Sequence, residues 1–154
     1  MGKGGERMET RDSERAVKIR LHSSIRHPEQ DEETHELMAT GVLINKAGKS
    51  YLKYEEQQNG QGIQTTVKLD AADGFIMRRG AVNMRLPFRE NEERAGTYGN
   101  GPASFNLLVK TNALAFLEEK EGAAGQFIVN YDLHAEGALL GMYKLTITYT
   151  EGIE

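Results

Sequence analysis

No cysteine occurs among the 154 residues. That absence excludes disulfides, thiolate zinc sites, iron–sulfur clusters and cysteine nucleophiles together. Long apolar runs are missing as well: nothing approaches the roughly 18 residues of a membrane helix, so no membrane partner is expected. Neither sign of charge is in large excess. Nineteen Lys and Arg stand against 23 Asp and Glu, for a net charge of −4. A dedicated nucleic-acid-binding domain is usually strongly basic, which disfavours that class of partner. Residues 1–15 mix charges of both signs with no apolar stretch, so no signal peptide and a cytoplasmic location are expected. The same segment buries too little apolar surface to offset its ordering entropy and reads as a mobile charged tail. There are three prolines against 17 glycines, a balance that favours many turns and no disordered linker. The length suits one domain of roughly 100–150 residues.

From Ala16 to Gly152 the dominant period is two, the mark of half-buried strands. Val17, Ile19 and Leu21 alternate with Lys18, Arg20 and His22. Leu37 and Ala39 give way to Val42 and Ile44, a change of phase that predicts a β-bulge at Gly41. Turns follow at Asn45–Lys49 and at Asn59-Gly60-Gln61-Gly62. A two-residue turn at Arg79-Gly80 would put Phe75 and Met77 on one face with Val82, Met84, Leu86 and Phe88. Ile76, Arg78, Ala81, Asn83 and Arg85 would then lie outside. Thr111–Glu121 contains good helix formers, yet its tight glycine boundaries favour a strand. Phe127, Val129, Tyr131 and Leu133 form one apolar row; Leu139, Tyr143, Leu145, Ile147 and Tyr149 form another. Consecutive short strands leave no room for crossover helices, and closing the sheet removes aggregation-prone edges. The fold expected is all-β: one closed antiparallel up-and-down barrel of about 8–10 strands.

Several stretches resemble the YwiB-like proteins. These are Tyr51-Leu52-Lys53-Tyr54-Glu55-Glu56, Thr65-Thr66-Val67-Lys68, and above all Arg78-Arg79-Gly80-Ala81-Val82-Asn83-Met84. Tyr131-Asp132-Leu133 and the run Gly141–Tyr149 agree too. The resemblance covers Ala16 to Gly152 and implies a bacterial, cytoplasmic barrel similar to the lipocalin-like (calycin) proteins. The family it points to is uncharacterised, so no catalytic residues come with it.

Tyr131, Tyr143 and Tyr149 fall on the inward phase, each with an apolar ring and a hydroxyl that needs a partner when buried. Met77 and Met84, placed on the same side, add adaptable thioethers. These five residues are the candidates for holding a small molecule; ordinary core packing is the simpler alternative for each. Arg78 and Arg85 are candidates for contacting an anion or a partner from the outer face, through their planar guanidinium forks. Asp132 and His134 share a strand face but have no third ligand at a recognisable spacing. Glu55 and Glu56, being adjacent, point to opposite faces and cannot act as paired carboxylates. Gly99–Ser104 lacks the lysine and the strand–helix setting of a phosphate loop. Neither Gly-x-Ser-x-Gly nor His-Glu-x-x-His occurs. The expectation is therefore a non-enzymatic binder of a small ligand, with no cofactor and no metal. The alternative is a protein-interaction module, homodimeric in one version, that uses an outer strand face with an arginine stripe.

Overall fold

The computed structural model describes residues 12–100 and 102–152. Among these residues ten strands follow one another: β1 Ser13–Arg26, β2 Glu33–Lys46, β3 Lys49–Gln58, β4 Gln61–Leu69, β5 Gly74–Gly80, β6 Asn83–Phe88, β7 Glu93–Asn100, β8 Ala103–Glu119, β9 Ala124–Ala135 and β10 Ala138–Glu151. Each pairs antiparallel with the next, and β10 closes on β1 from Val17↔Glu151 to Arg26↔Met142. Among the described residues, closure leaves no edge strand to pair with another chain. The turn chemistry is local. Asn59 and Gly60 take φ of 54° and 80°, the left-handed pair that a two-residue hairpin with the right twist requires.

The interior is filled by the inward phase of every strand. Val17, Leu52, Phe88, Phe127 and Ile147 are fully buried, in one continuous core that extends around the barrel. Thr111–Glu119 is strand, as the glycine boundaries indicate, and a single 3-10 turn at Lys120–Gly122 leads into β9. β1 begins at Ser13, so residues 13–15 belong to the barrel and not to a tail. Asp12 accepts from the Ala47 N–H, and residues 1–11 of the expected tail lie outside the described residues.

Two local expectations are corrected. The ladder between β1 and β2 runs without a shift from Ser13↔Asn45 to Ile25↔Glu33, so Gly41 is not a bulge. A Cβ there would collide with the carbonyl oxygen of Lys53 and lie 3.0 Å from Ile19 Cδ1. Gly41 is there for a close approach of strands, one of the standard uses of glycine within a sheet. The observed shifts lie between Thr111 and Ala113 and between Leu139 and Gly141.

Gly80 stays in the ladder opposite Ile63, and the Ala81 N–H donates to the Gly62 carbonyl at 3.2 Å. The turn therefore falls at Ala81-Val82, and Arg78 pairs with Met84. Relative to a turn at Arg79-Gly80, the pairing slips by an odd number of residues. A slip of that kind inverts a strand's faces. Ile76 and Arg78 point inward; Phe75 and Met77 point outward.

Candidate functional site at one barrel mouth

The register places a row of directly opposed residues across six strands. Tyr54 on β3 faces Thr65 on β4, which faces Arg78 on β5; Arg78 faces Met84, Met84 faces Tyr98 on β7, and Tyr98 faces Phe105 on β8. The row belongs to the inner phase and approaches the end of the barrel that carries the Asn59-Gly60, Ala81-Val82 and Glu136-Gly137 turns. Towards β7 and β8 it becomes a solvent-facing lip, where Phe105 is 57% exposed and Tyr98 37%.

Arg78 carries a charge into this wall. Its Nη2 donates to Glu56 Oε1 at 2.7 Å, and both side chains are largely withdrawn from solvent. Glu56 is on the inward phase of β3, two residues beyond the buried Tyr54. Burial raises the Tyr54 phenol well above its ordinary range, and the Glu56 carboxylate adds to the rise while Arg78 opposes it. The Arg78–Glu56 contact runs through Nη2 alone, one of the guanidinium's several donor positions.

Behind the ion pair stands a column of rings. Tyr131 and Tyr143 stack at 5.0 Å with planes 3° apart, and Phe88 packs against Tyr131 at 4.9 Å. Burial is the main cause that pushes the Tyr131 phenol up; Tyr143 adds to it and Arg78 opposes it. Tyr143 is raised by burial as well. Thr111, opposite Tyr131 on β8, is fully buried, and its hydroxyl has no hydrogen-bond partner among the described residues.

Three of the five small-molecule candidates, Tyr131, Tyr143 and Met84, thus lie on the inner wall that carries Arg78. Tyr149 does not join them. It lies opposite Gly125, near the start of β9 and the far end of the barrel, with its hydroxyl buried and without a hydrogen-bond partner among the described residues. Its phenol is pushed up to about 12 by burial and then by Glu118, with Arg15 opposing. Met77 is on the outer surface between Thr66 and Arg85. The two arginines are split: Arg85 is outside, with its guanidinium carbon 5.9 Å from the Phe75 ring centre, whereas Arg78 is inside. No outer stripe pairs them. Asp132 accepts from Asn112 Nδ2 at 3.3 Å on the outer face.

Glu56, Tyr54 and Tyr98 are the residues that pattern reading passed over as a site. Glu56 had a legible signal: it continues the Leu52–Tyr54 phase, so a carboxylate stands where an apolar residue is expected.

Known proteins share this architecture. The chain is 29% identical over 136 residues to the uncharacterized β-barrel protein YwiB of Bacillus subtilis (strain 168), covering 87% of this chain and 94% of that one. The crystal structure of the ywiB protein from Bacillus subtilis superposes with a TM-score of 0.80 at 25% identity, covering 91% of this chain and 94% of the other. Residues 19–147 match the family model described as a domain of unknown function, DUF1934, and on that match the chain belongs to this family.

Proposed function

We propose that the protein is a non-enzymatic binder of a small anionic molecule with an apolar, ring-containing body, taken at the mouth formed by Arg78, Met84, Tyr98 and Phe105. The observation that carries this reading is the position of Arg78. An arginine on the inner wall of a barrel loses hydration that one carboxylate contact only partly replaces. A planar guanidinium with several donor positions, beside an exposed aromatic lip and a stacked tyrosine pair, suits a carboxylate or sulfonate head followed by a flat body. A few placed polar groups in a mainly apolar mouth is the usual composition of a small-molecule site.

Titration with 1-anilinonaphthalene-8-sulfonate, an aromatic sulfonate whose emission rises on transfer out of water, tests the proposal. Saturable one-to-one binding is expected, and it is lost when Arg78 is replaced by Met in a protein that also carries Glu56→Leu. The paired change keeps a neutral, filled wall. Arg20→Met, an exposed outer-face arginine, leaves binding unchanged. Equal binding by the paired variant, or no saturable binding by the parent protein, overturns the reading.

A further inference from the structure

A wide concavity lies on the outside of the barrel. It is a groove of about 890 Å3 that crosses β1 to β5. Ile44, Tyr51 and Met77 give it an apolar floor, and Lys46, Lys49, Lys53 and Arg79 line it with positive charge. Two carboxylates share the lining. Asp12 accepts from the Ala47 N–H at 3.2 Å, and Glu14 stands at the β1 side. Lys49 reaches Asp70 at 3.1 Å. Beyond the groove the same outer face continues with Lys68, Phe75 and Arg85; the Tyr51 and Phe75 ring centres are 6.4 Å apart. Six cations on this outer face, Lys46, Lys49, Lys53, Lys68, Arg79 and Arg85, outnumber its four carboxylates, Asp12, Glu14, Glu55 and Asp70, although the whole chain carries a net charge of −4.

We propose that this outer groove binds single-stranded nucleic acid, with phosphates along the line of Lys46, Lys53 and Arg79 and a base stacked on Tyr51. Proteins that hold single strands without sequence preference combine these two elements, a cationic groove and rings for the bases. The spacing of the cations favours a strand over a free nucleotide. Lys49 and Arg79 are six residues of register and two strands apart, roughly 20 Å at the usual strand rise and spacing. One phosphate group cannot engage cations that far apart, whereas a repeating backbone can. The ring and thioether floor favours bases over the side chains of an acidic peptide.

Fluorescence anisotropy with labelled oligo-dT and oligo-rU of about twelve nucleotides, within the usual site size, tests this. Binding is expected at low salt, and three phosphate contacts predict an affinity loss of about 20-fold between about 50 mM and about 200 mM salt. Lys53→Glu with Arg79→Glu should weaken binding at least about tenfold, and Tyr51→Ala about tenfold, which corresponds to the loss of one stacked base. Lys110→Glu with Lys144→Glu makes the same charge change on distant strands and should have far less effect. All of these positions are on the outer surface, and an unchanged thermal midpoint verifies the fold. Failure to bind either oligomer at low salt overturns the proposal. So does equal loss from the two charge-reversed pairs, competition by poly-glutamate as effective as by unlabelled strand, or full competition by a free mononucleotide at the same concentration of phosphate.

Discussion

Arg78 and Glu56 meet at 2.7 Å on the inner wall of the barrel, one from β5 and the other from β3, with the Tyr54–Thr65 pair beside them. Removal of one partner leaves a charge that water reaches poorly. Breaking a fully buried pair costs about 3–5 kcal/mol. Here each side chain keeps a fifth to a quarter of its exposure, so about 1–3 kcal/mol is expected for Arg78→Met or Glu56→Leu alone. The double change should cost less than either single change, because the orphaned charge is gone. Urea unfolding of the four proteins gives the coupling directly. Additive losses would show that the pair is no more than a surface contact.

Gly125 and Tyr149 make a second tight relationship, at the far end. A Cβ on Gly125 would sit 2.6 Å from the Tyr149 ring, which no rotamer change at the glycine relieves. Gly125→Ala is expected to destabilise by about 1–3 kcal/mol through overpacking. Tyr149→Phe runs the other way. The hydroxyl is buried without a partner among the described residues, so its deletion should be neutral or mildly stabilising, since an unsatisfied polar group is removed with little change of shape. The thermal midpoint is predicted to fall in Gly125→Ala and to hold or rise slightly in Tyr149→Phe; a large loss in Tyr149→Phe would mean that the hydroxyl has a partner in solution.

Four inward or half-buried phenols, those of Tyr54, Tyr131, Tyr143 and Tyr149, ionise above their ordinary value of 10.0 in the folded protein. In the unfolded chain they lose protons near pH 10. Above that pH the unfolded state binds fewer protons than the native state, so stability falls as pH rises. The contribution is intact below pH 10 and disappears as pH climbs through the folded values, for Tyr149 about 12. Each such tyrosine adds a slope of up to about 1.4 kcal/mol per pH unit inside that window. Unfolding free energies measured from about pH 9 to about pH 12 should decline steeply in the parent, and less steeply in Tyr131→Phe. An identical slope in that variant would remove Tyr131 from the account.

Much of the barrel was legible because strands announce themselves through period two. Val17-Ile19-Leu21 and Phe127-Val129-Tyr131-Leu133 needed only the alternation of faces, and Asn59-Gly60 needed only turn chemistry. The candidate site was half legible for the same reason. Tyr131, Tyr143 and Met84 were readable from phase; the inward turn of Arg78 was not. Its orientation depends on where β5 stops, and Gly80 could equally serve as a turn residue or as a close contact to β4. The backbone of Gly62 decides between them, since Ala81 donates to its carbonyl and fixes Gly80 in the ladder. Such a partner lies eighteen residues away in the chain, beyond the reach of local pattern. Gly41 repeats the lesson, because the close approach of Lys53 on β3 looks, from the sequence, like a shift of phase.

Asp70 ties off the connection between β4 and β5. Its Oδ1 accepts from the Ala72 and Asp73 N–H groups at 2.7 and 3.1 Å, and its Oδ2 from Lys49 Nζ at 3.1 Å. Partial burial works against ionisation, yet these bonds outweigh it and hold the carboxyl below its usual value of 3.8. The sign is opposite to that of the tyrosines: the stability is present above the unfolded value and is lost as pH falls through the lower folded one. Asp70→Ala, which frees two N–H groups and loses the turn-making side chain, is expected to cost about 1–2 kcal/mol at neutral pH. Asp70→Asn keeps an acceptor for the N–H groups and should cost less, about 1 kcal/mol, because the half-exposed Lys49 adds little. The diagnostic is the acid limb. Between about pH 5 and about pH 2 the parent should lose stability that Asp70→Asn has already lost, so the two curves converge as the pH falls. Curves that stay parallel throughout would place the acid sensitivity in other carboxylates and leave Asp70 with a purely geometric part in the turn.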